Sequence, residues 1–332
     1  MRKKKVVYIV WGSPRTRAKE LSKKFNARLY GVFFSFPLPV VLRYLISTIK
    51  SLLILIREKP DYIIAQVPPI FLPFVVYIYS LFFGGKYLLD VHSGEIIDKK
   101  WRYFQPLRKF LFRRAFLILM HNSSNFNKIK NWKVNALVLN DPIPIPPDVK
   151  SEKLCNNCKE VVFISTFGID EPFNECLGAA NILKKKNGNK WLFIFTGDYK
   201  SAKFLQKHKD IIFKNKDIIF TGFVNYDKYW SILKGADVIV SLNKRKDVIT
   251  CGLWEGVALE KPVVTNNYGC IEELFGDALI YTSNDAIAIA NAVRNAFLKR
   301  SIIKKKIKDR KIEIEKRWRE VFSMILNSME KK

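Results

Sequence analysis

Short apolar runs recur along this chain, and longer amphipathic stretches separate them. Apolar strands that alternate with helical stretches are typical of parallel α/β folds. The predicted strands are 5–10, 28–34, 61–67, 86–91, 116–120, 136–140, 161–166, 191–197, 217–222, 237–242, 261–266 and 278–282.

A polar, proline-rich segment interrupts this pattern. It reads "NDPIPIPPDVKSEKLCNNCKE" (140–160) and contains four prolines, which remove backbone donors and resist both helix and sheet. The segment therefore predicts a linker between two Rossmann-like α/β halves that face each other across a cleft. We expect ligands beyond the carboxyl ends of the strands. The predicted domains are 1–148, 149–315 and a C-terminal helix, 316–332, that packs back on the first domain.

The charge of the chain favours an anionic partner. Its 332 residues include 58 Lys and Arg against 30 Asp and Glu, which gives a formal net charge of +28. Nucleic acid, phosphorylated small molecules and anionic lipid surfaces all fit such an excess. A solvated basic surface without a partner is the alternative.

Five cysteines are present, and two of them, Cys155 and Cys158, form a CxxC pair in the linker. A structural zinc site needs a second pair, which the sequence lacks. A redox CxxC normally opens a helix after a strand, whereas this pair lies in a polar segment. We therefore expect two loop thiols.

The longest apolar run, "IFLPFVVYIYSLFFGG", is shorter than the ~20 residues that a membrane-spanning helix needs. No signal peptide is visible at the basic start "MRKKKVVYIV". The expected location is therefore the cytoplasm, with peripheral attachment to the inner face of the plasma membrane as an extension of that hypothesis.

The stretch "DVITCGLWEGVALEKPVVTNNYG" (247–269) joins an acid, a polar turn, a short helix and an apolar strand. The start of the helix, near Thr250, presents N–H groups and a partial positive charge that suit a phosphate. Gly252 permits a close backbone approach. One turn later, Glu255 can accept hydrogen bonds from ribose hydroxyls, and Asp247 can reach a sugar. The alternative is a first-turn Glu favoured by the helix dipole and an exposed Asp.

The order of segments in the second half resembles the donor-binding half of GT-B glycosyltransferases, especially family 4. No G-x-G-x-x-G follows either first strand and no Walker loop is present, so nicotinamide, flavin and P-loop signatures are missing. The resemblance covers about residues 160 to 300. It rests on Gly222-Phe223, Ala236-Asp237, Asp247 with Glu255, and Ala258 with Pro262-Val263-Val264.

The resemblance implies that Glu255 holds ribose, that Asp247 contacts the donor sugar as a catalytic residue, and that backbone amides approach the diphosphate. Family enzymes often carry Arg and Lys after the first strand of this domain, but "ISTFGIDEPFNE" has neither. This segment is instead similar to that of β-mannosyltransferases acting on dolichol-diphosphate chitobiose, which invert, so the stereochemical outcome stays open. The predicted donor-binding set is Thr166, Gly197, Lys200, Gly222, Phe223, Lys244, Arg245, Ile249, Thr250, Cys251, Gly252 and Glu255, in which Lys200, Lys244 and Arg245 replace the missing cations.

In the first half, "LLDVHSGEI" places His92 just past a strand end. In GT-B enzymes that this chain resembles, a His or acid near this point faces the reacting sugar. A histidine side chain can hydrogen-bond a sugar or accept a proton, which makes His92 a catalytic candidate, and Glu95 is the candidate base of an inverting reaction. The alternative is that His92 only caps the next helix. The resemblance also places the loop with Gly12, Ser13 and Arg15 near the acceptor.

The segment "KKWRYFQPLRKFLFRRAF" (99–116) mixes basic and aromatic residues, which suits a lipid headgroup interface. An ordinary core-facing helix is the alternative. The same rings would suit RNA, but no nucleic-acid motif is present, which argues against nucleic acid as a partner.

Taken together, these patterns predict a GT-B glycosyltransferase that moves a sugar from an NDP-sugar to a glycan or lipid-linked acceptor. No cofactor and no metal are expected, since backbone dipoles and cations can offset the leaving diphosphate. An epimerase on the same fold is one alternative. A non-catalytic basic protein that binds membrane or RNA is another.

Overall fold

The computed structural model describes residues 4–34, 39–185, 190–201 and 215–330. The chain divides into two compact units. The first unit contains the residues up to Pro142 together with those from Glu320 onward, and the second contains Ile143–Arg319. These divisions compare with predicted boundaries after residues 148 and 315.

The first unit is built on a parallel sheet of six strands in the order β2-β1-β3-β4-β5-β6. Its strands are β1 (Val6–Val10), β2 (Arg28–Gly31), β3 (Tyr62–Val67), β4 (Lys86–Val91), β5 (Leu117–Met120) and β6 (Ala136–Val138). Its helices are α1 (Thr16–Lys24), α2 (Val40–Glu58), α3 (Phe71–Phe83), α4 (Ser93–Ile97), α5 (Gln105–Arg114) and α6 (Ser123–Asn127), with 3₁₀ turns at Lys99–Phe104 and Lys130–Trp132.

The second unit repeats this architecture with a parallel sheet in the order β12-β11-β10-β7-β8-β9. Its strands are β7 (Lys159–Phe163), β8 (Trp191–Thr196), β9 (Ile218–Gly222), β10 (Val238–Ser241), β11 (Val263–Asn266) and β12 (Ile280–Thr282). Its helices are α7 (Phe173–Lys185), α8 (Tyr226–Gly235), α9 (Cys251–Ala258), α10 (Gly269–Phe275), α11 (Ala286–Leu298) and α12 (Arg300–Glu330), with 3₁₀ turns at Tyr199–Ser201 and Gly276–Ala278.

The predicted α/β fold class is confirmed, and each of the twelve predicted apolar runs overlaps a strand. The runs are apolar because central parallel strands are covered on both faces: all of β1, β5, β8 and β10 is buried. Most observed strands begin or end up to a few residues inside the predicted ones, where the chain turns into loops, whereas β7 begins earlier than predicted, at Lys159.

The long C-terminal helix α12 contributes to both units. In the second unit, Arg310 donates from Nε to the carbonyl oxygen of Leu274 at 2.6 Å. In the first unit, the Tyr62 hydroxyl donates to the carbonyl oxygen of Met329 at 2.7 Å, and the Phe25 ring packs on Phe322. Among the residues that the structure describes, no helix is both long and apolar enough to span a bilayer.

The expectation of two loop thiols in the linker is wrong. A turn at residues 155–158 brings the Cα atoms of Cys155 and Cys158 to 5.4 Å, and the two sulfurs form a disulfide. The backbone N–H of Cys155 also donates to the Oε1 of Glu160 at 2.7 Å, which fixes the start of this turn against β7. A polar CxxC segment can thus form a disulfide without opening a helix.

The linker packs tightly on the second unit at Gly235, the last residue of α8. A Cβ atom at Gly235 would lie 1.9 Å from the carbonyl oxygen of Glu152. We therefore expect Gly235→Ala to lower the free energy of unfolding by about 1–3 kcal/mol, because the linker must move away. The control is Gly269→Ala, where a Cβ meets no atom within 4 Å. Urea unfolding of both variants measures the difference, and equal stabilities would contradict this packing.

Candidate functional site

At the carboxyl ends of β7, β8 and β9, which are adjacent in the sheet of the second unit, glycines allow the following loops to approach one another closely. Gly197 follows β8 with φ +96°, and a Cβ there would lie 2.1 Å from the carbonyl oxygen of Ser165. Gly197 also forms an isolated antiparallel bridge with Gly222 at the end of β9. The structure therefore brings the predicted donor-binding residues Thr166, Gly197 and Gly222 to one edge of the sheet.

A carboxylate of the protein itself occupies the loop that follows β7. Glu171 accepts hydrogen bonds from the backbone N–H groups of Thr166 and Phe167, each at 2.9 Å. It also accepts bonds from the hydroxyls of Ser165 and Thr166. Phe167 has a left-handed φ of 56°, which helps to point successive N–H groups inward as in an anion-binding nest. In this structure Glu171 supplies the negative charge that such a nest binds.

The loop between β10 and α9 is held by Asn243. Its backbone N–H donates to Asn266, and its side-chain nitrogen donates to Asp170 at 3.2 Å. The Asn243 Oδ1 accepts a bond from the backbone N–H of Arg245 at 2.7 Å. This anchoring positions two of the predicted cations, the exposed Lys244 and the half-buried Arg245, on the loop.

Two other predicted donor-binding residues lie at neighbouring strand ends. Lys200 is exposed, and its backbone N–H donates to the Oδ1 of Asp198 at 3.1 Å. Phe223, directly after β9, has 90% of its surface exposed. An aromatic ring this exposed contributes little to the core, which leaves its face accessible to a ligand.

Helix α9 begins where the sequence predicts. Thr250 is the N-cap: its Oγ1 accepts a bond from the backbone N–H of Leu253 at 3.3 Å and pairs with the Ser241 hydroxyl at 2.7 Å. Gly252 is buried, and a Cβ there would lie 2.8 Å from Ile164 and from Ser241. The glycine therefore allows α9 to pack closely on the strand ends. The close approach of a ligand to Gly252 stays a prediction. Ile249 is half-buried against the core, and Cys251 is exposed.

Glu255 is half-buried on α9 and is held by a tyrosine of α8. The Tyr229 hydroxyl donates to Glu255 Oε2 at 2.5 Å. Burial raises the pKa of Glu255 above its usual value, although the hydrogen bond from Tyr229 opposes this rise. Since burial disfavours the charged form, further hydrogen-bond donors would stabilise the ionised carboxylate.

Asp247, the other acid of the motif, lies in the same loop but has a different neighbour. It is half-buried, and its charge adds to the effect of burial in raising the pKa of the Cys270 thiol to about 11. Cys270 lies in the first turn of α10. The spacing in the sequence thus places Asp247 toward α10 and Glu255 toward α8.

In the first unit, a buried charge cluster surrounds Asp90 at the carboxyl end of β4. Arg17 donates from Nε to Asp90 Oδ1 at 2.9 Å, and the Tyr8 hydroxyl donates to Oδ2 at 2.5 Å. Arg17 also pairs with Asp141 at 2.7 Å. Although burial by itself raises the pKa of Asp90, the charge of Arg17 and the two nearby histidines hold that pKa well below its usual range.

The predicted catalytic residue His92 belongs to this cluster. Its Nε2 lies 3.3 Å from Asp90 Oδ2, and its ring centroid lies 4.1 Å from that of His121. His92 occupies the N-cap position of α4, but its side chain makes no capping hydrogen bond. Burial and the charge of Arg17 hold the pKa of His121 well below its usual range, so His121 is neutral at neutral pH.

The cluster also offers the donor atoms of a metal site. One atom each of Asp90, His92 and His121 lies within 4.8 Å of the others. However, both oxygens of Asp90 already accept bonds from Arg17 or Tyr8, and the Arg17 guanidinium repels a cation. The arrangement therefore favours a carboxylate that orients His92, as in acid–base pairs of enzymes, over a metal ligand.

The remaining predicted residues of the first unit lie elsewhere. Glu95, the candidate base, is fully buried on α4 with Arg108 Nη1 at 3.6 Å, an environment that favours a structural role. Gly12, with φ +146°, has open space around it, and Ser13 and Arg15 are exposed on the loop before α1. The basic residue that contacts Asp90 is Arg17, two positions after the predicted Arg15.

A protein-family model matches this chain and identifies its family. The model of glycosyl transferases group 1 matches residues 147–314, slightly more than half of the chain. The chain belongs to this family. The matched segment begins in the linker and contains every element of the glycosyltransferase domain from β7 to α11. The comparison with curated proteins found no match to this glycosyltransferase.

Solved structures share the fold of this glycosyltransferase at low sequence identity. A glycosyltransferase from Rickettsia africae has a TM-score of 0.73 and 14% identity over 100% of this chain and 99% of that chain. HepE from Anabaena, in complex with UDP-glucose, has a TM-score of 0.71 and 14% identity over 97% and 100%. A Listeria monocytogenes structure assigned as a UDP-N-acetylglucosamine 2-epimerase has a TM-score of 0.62 and 10% identity over 92% and 90%. These likenesses show that the chain has the GT-B fold.

Sequence reasoning missed several polar residues of these sites. Arg17, Asp90 and Tyr8 gave no local signal, because their partners lie more than 70 residues away in the chain. Tyr229 was hidden among the aromatic residues of α8. For Glu171 a signal existed: the acidic pair in "FGIDEPF" is unusual in a loop that would otherwise receive a phosphate.

The Asp90 cluster predicts a large effect of removing one charge. Asp90→Asn removes the fully buried carboxylate of the two that pair with Arg17 and leaves only Asp141. Breaking a buried ion pair costs about 3–5 kcal/mol of folding free energy. Because the pKa of Asp90 is depressed, its stabilisation is present at neutral pH and is lost as the pH falls toward that pKa. Urea unfolding at several pH values should therefore show a large loss at pH 7 that shrinks in acid.

The matched control is Glu20→Gln in α1, the helix that carries Arg17. Glu20 pairs with the exposed Lys23 at 2.9 Å, and a surface pair contributes about 0–1 kcal/mol. If Asp90→Asn were as stable as this control at neutral pH, the cluster would not be a structural ion pair.

Proposed function

We propose that this chain transfers a sugar from a nucleotide-sugar donor to a glycan or lipid-linked acceptor. The observation that carries the proposal is Glu255: a half-buried carboxylate with a raised pKa, held by Tyr229 next to the start of α9. It lies inside the segment that matches the family. A carboxylate in this state gains most from two additional hydroxyl donors, and the vicinal hydroxyls of a ribose supply such a pair.

In this proposal the second unit binds the donor. The capped start of α9 and the amides near Ile249, Thr250 and Cys251 face the diphosphate, because a helix N-terminus favours anions. Lys200, Lys244 and Arg245 supply positive charge in place of a metal ion. HepE, which shares the fold, was solved with UDP-glucose, and this supports a uridine nucleotide as the first donor to test.

The occupied nest at Glu171 supports one assignment of the groups that neutralise the diphosphate. Since Glu171 already accepts from the amides of Thr166 and Phe167, these donors are not available to a phosphate while it stays in place. The diphosphate is then neutralised mainly from the α9 side of the sheet edge. Membership of family 4 and the similarity to β-mannosyltransferases remain hypotheses, and the stereochemistry of the product decides between retention and inversion.

We assign the chemistry at the sugar to His92 of the first unit. Asp90 orients its ring through the contact at 3.3 Å, and the neighbouring His121 stays neutral. An imidazole oriented in this way can donate a hydrogen bond to a sugar hydroxyl or accept a proton. Asp247 is the candidate for a second contact with the sugar.

An epimerase is the second candidate, and the structural likeness to an assigned UDP-N-acetylglucosamine 2-epimerase favours it over other enzyme classes. The two functions differ in their products. Incubation with a panel of UDP- and GDP-sugars and analysis by mass spectrometry and NMR distinguishes them. Transfer or donor hydrolysis supports the glycosyltransferase, whereas a new epimer with an intact diphosphate supports the rival.

For Glu255 we expect Glu255→Ala to lower UDP affinity by about tenfold or more, since hydrogen bonds to charged groups contribute about 1.5–3 kcal/mol each. Glu255→Gln should also weaken UDP binding, yet without ligand it should be at least as stable as the wild type. The reason is the raised pKa: the ionised form is disfavoured in the folded state, so its contribution to stability is lost as pH rises through that pKa. Calorimetry and thermal unfolding on the same samples measure both quantities.

The pH dependence provides a second readout for Glu255. UDP affinity of the wild type should fall as the pH drops through the raised pKa, while the affinity of Glu255→Gln should change less. The control, Glu272→Ala, removes an exposed carboxylate of the same unit and should leave UDP binding unchanged. Unaltered UDP affinity in a folded Glu255→Ala variant would refute the ribose assignment.

For His92 we expect His92→Ala to reduce turnover by ~100-fold or more while UDP affinity stays nearly constant, because a positioned acid–base group acts on the transition state. The control is Asp285→Ala, which removes a true N-cap whose side chain accepts bonds from the N–H groups of Ile287 and Ala288. That control should lose about 1 kcal/mol of stability with normal turnover. Normal turnover in His92→Ala would exclude His92 from the active site.

A further inference from the structure

Helix α2 of the first unit presents its apolar side to solvent. Its buried residues include Ser47 and Ser51, and the Ser51 hydroxyl accepts a bond from Trp11 Nε1 at 2.8 Å. Leu45, Ile49 and Leu53, spaced four residues apart on the outer side, are 56%, 49% and 61% exposed. A surface helix normally buries its apolar stripe and exposes its polar one. The pattern of α2 is therefore partly inverted.

The adjacent helix, α3, extends this exposed face. Its sequence "FLPFVVYIYSLFF" contains no charged residue, and Phe74, Leu81 and Phe82 are exposed, Phe82 to 76%. Between the two helices lies a groove of about 480 Å³ lined almost entirely by apolar side chains, among them Leu45 and Phe74. We call Leu45, Ile49, Leu53, Phe74, Leu81 and Phe82 the α2–α3 apolar surface. Contiguous exposed apolar patches on soluble units usually mark an interaction site.

Cations surround this surface. Arg43, Lys50 and Arg57 are exposed on α2, while the single acid of that helix, Glu58, is buried and pairs with Lys5 and Arg28. Glu58 is the single carboxylate in α2 (Val40–Glu58) and α3 (Phe71–Phe83), and its cationic partners neutralise it. These two helices therefore present no exposed carboxylate that would repel an anionic surface.

The basic and aromatic segment 99–116 borders the other side of α3. The Phe71 ring packs on Phe104 at 5.3 Å, and the Tyr77 ring packs on Phe110, which lies under the guanidinium of Arg114. Trp101 and Phe112 of this segment are buried, so it is partly the core-facing element of the alternative interpretation. Its exposed Arg114 lies over the rings of Tyr77 and Phe110 and adds positive charge beside α3.

We propose that the α2–α3 apolar surface inserts into the headgroup region of an anionic bilayer, with the surrounding Lys and Arg side chains on lipid phosphates. Apolar and aromatic residues that penetrate the acyl boundary, combined with cations at its edge, are the composition of a peripheral membrane surface. A second copy of the chain is the less suitable occupant, because pairing this face with itself brings Arg43, Lys50 and Arg57 of both copies together.

Docking at this surface stands independently of the transfer reaction. Its consequence, which rests on the proposed function, is that the acceptor is lipid-linked and is presented by the membrane. The hydrocarbon chain of such an acceptor lies in the same bilayer that the first unit contacts, so a soluble glycan would lose this advantage.

The test compares two triple variants with the same change in charge. Leu45→Glu/Ile49→Glu/Leu53→Glu places three acids on the α2–α3 apolar surface. The control, Ile287→Glu/Ile302→Glu/Ile312→Glu, places three acids at isoleucines of α11 and α12 that are similarly exposed (62%, 61% and 58%). Both are purified and checked by circular dichroism, and their co-sedimentation with phosphatidylcholine vesicles is measured with and without phosphatidylglycerol.

We expect the wild type and the control to bind vesicles that contain phosphatidylglycerol, and the α2 variant to bind them roughly tenfold or more weakly, because three apolar side chains no longer leave water. Equal loss in both variants would mean that net charge alone attracts the protein, and this would overturn the proposal. Wild-type binding that is the same with and without phosphatidylglycerol would also overturn the proposal. So would light scattering that shows a wild-type dimer which binds no vesicles, and which is lost only in the α2 variant.

UDP-dependent thermal stabilisation of the same three proteins separates this inference from the proposed function. The α2 variant should keep the stabilisation, since the donor residues are all in the second unit. Normal UDP stabilisation with no vesicle binding in the wild type refutes the docking surface alone. Vesicle binding that depends on α2, with no response to any nucleotide sugar, refutes the proposed function alone.

Discussion

Parallel strand pairing is the constraint on which the rest of this molecule depends. In each unit all six strands run in one direction, so every connection must return along a face of the sheet and every carboxyl end lies on the same edge. Residues that are distant in sequence meet there, as Tyr8 and Asp90 do across 82 positions. The candidate functional side chains are therefore carried by loops whose ends are fixed by buried strands.

The same constraint explains why the fold could be predicted from the sequence. A parallel strand that is covered on both faces is apolar throughout, so buried strands such as β1, β5, β8 and β10 appear as short apolar runs. The start of α9 was also predictable, because Thr250 is a good N-cap and its hydroxyl does cap the helix. These signals are local in the sequence, and they require no knowledge of how distant segments pack.

Side-chain pairing between distant segments could not be predicted in this way. Arg17 pairs with Asp141 across 124 positions, and nothing in either neighbourhood indicates the partner. Periodicity shows that α2 has an apolar stripe, but not that Ser47 and Ser51 are buried with Leu55 while Leu45 and Leu53 are exposed. The choice depends on the space that Trp11 and the neighbouring helix leave, which is a property of the folded unit. The disulfide between Cys155 and Cys158 likewise depends on the turn geometry.

The two candidate sites shift the pKa of a buried carboxylate in opposite directions. Asp90 is surrounded by donors and cations that favour its ionised form, so it is a fixed charge that orients His92. Glu255 is also largely shielded from water, but its pKa is raised, because the bond from Tyr229 does not fully offset burial. A ligand that brings hydroxyl donors to Glu255 therefore recovers free energy that the unliganded protein lacks. In the proposed function, nucleotide binding and ionisation of Glu255 are therefore linked, and each favours the other.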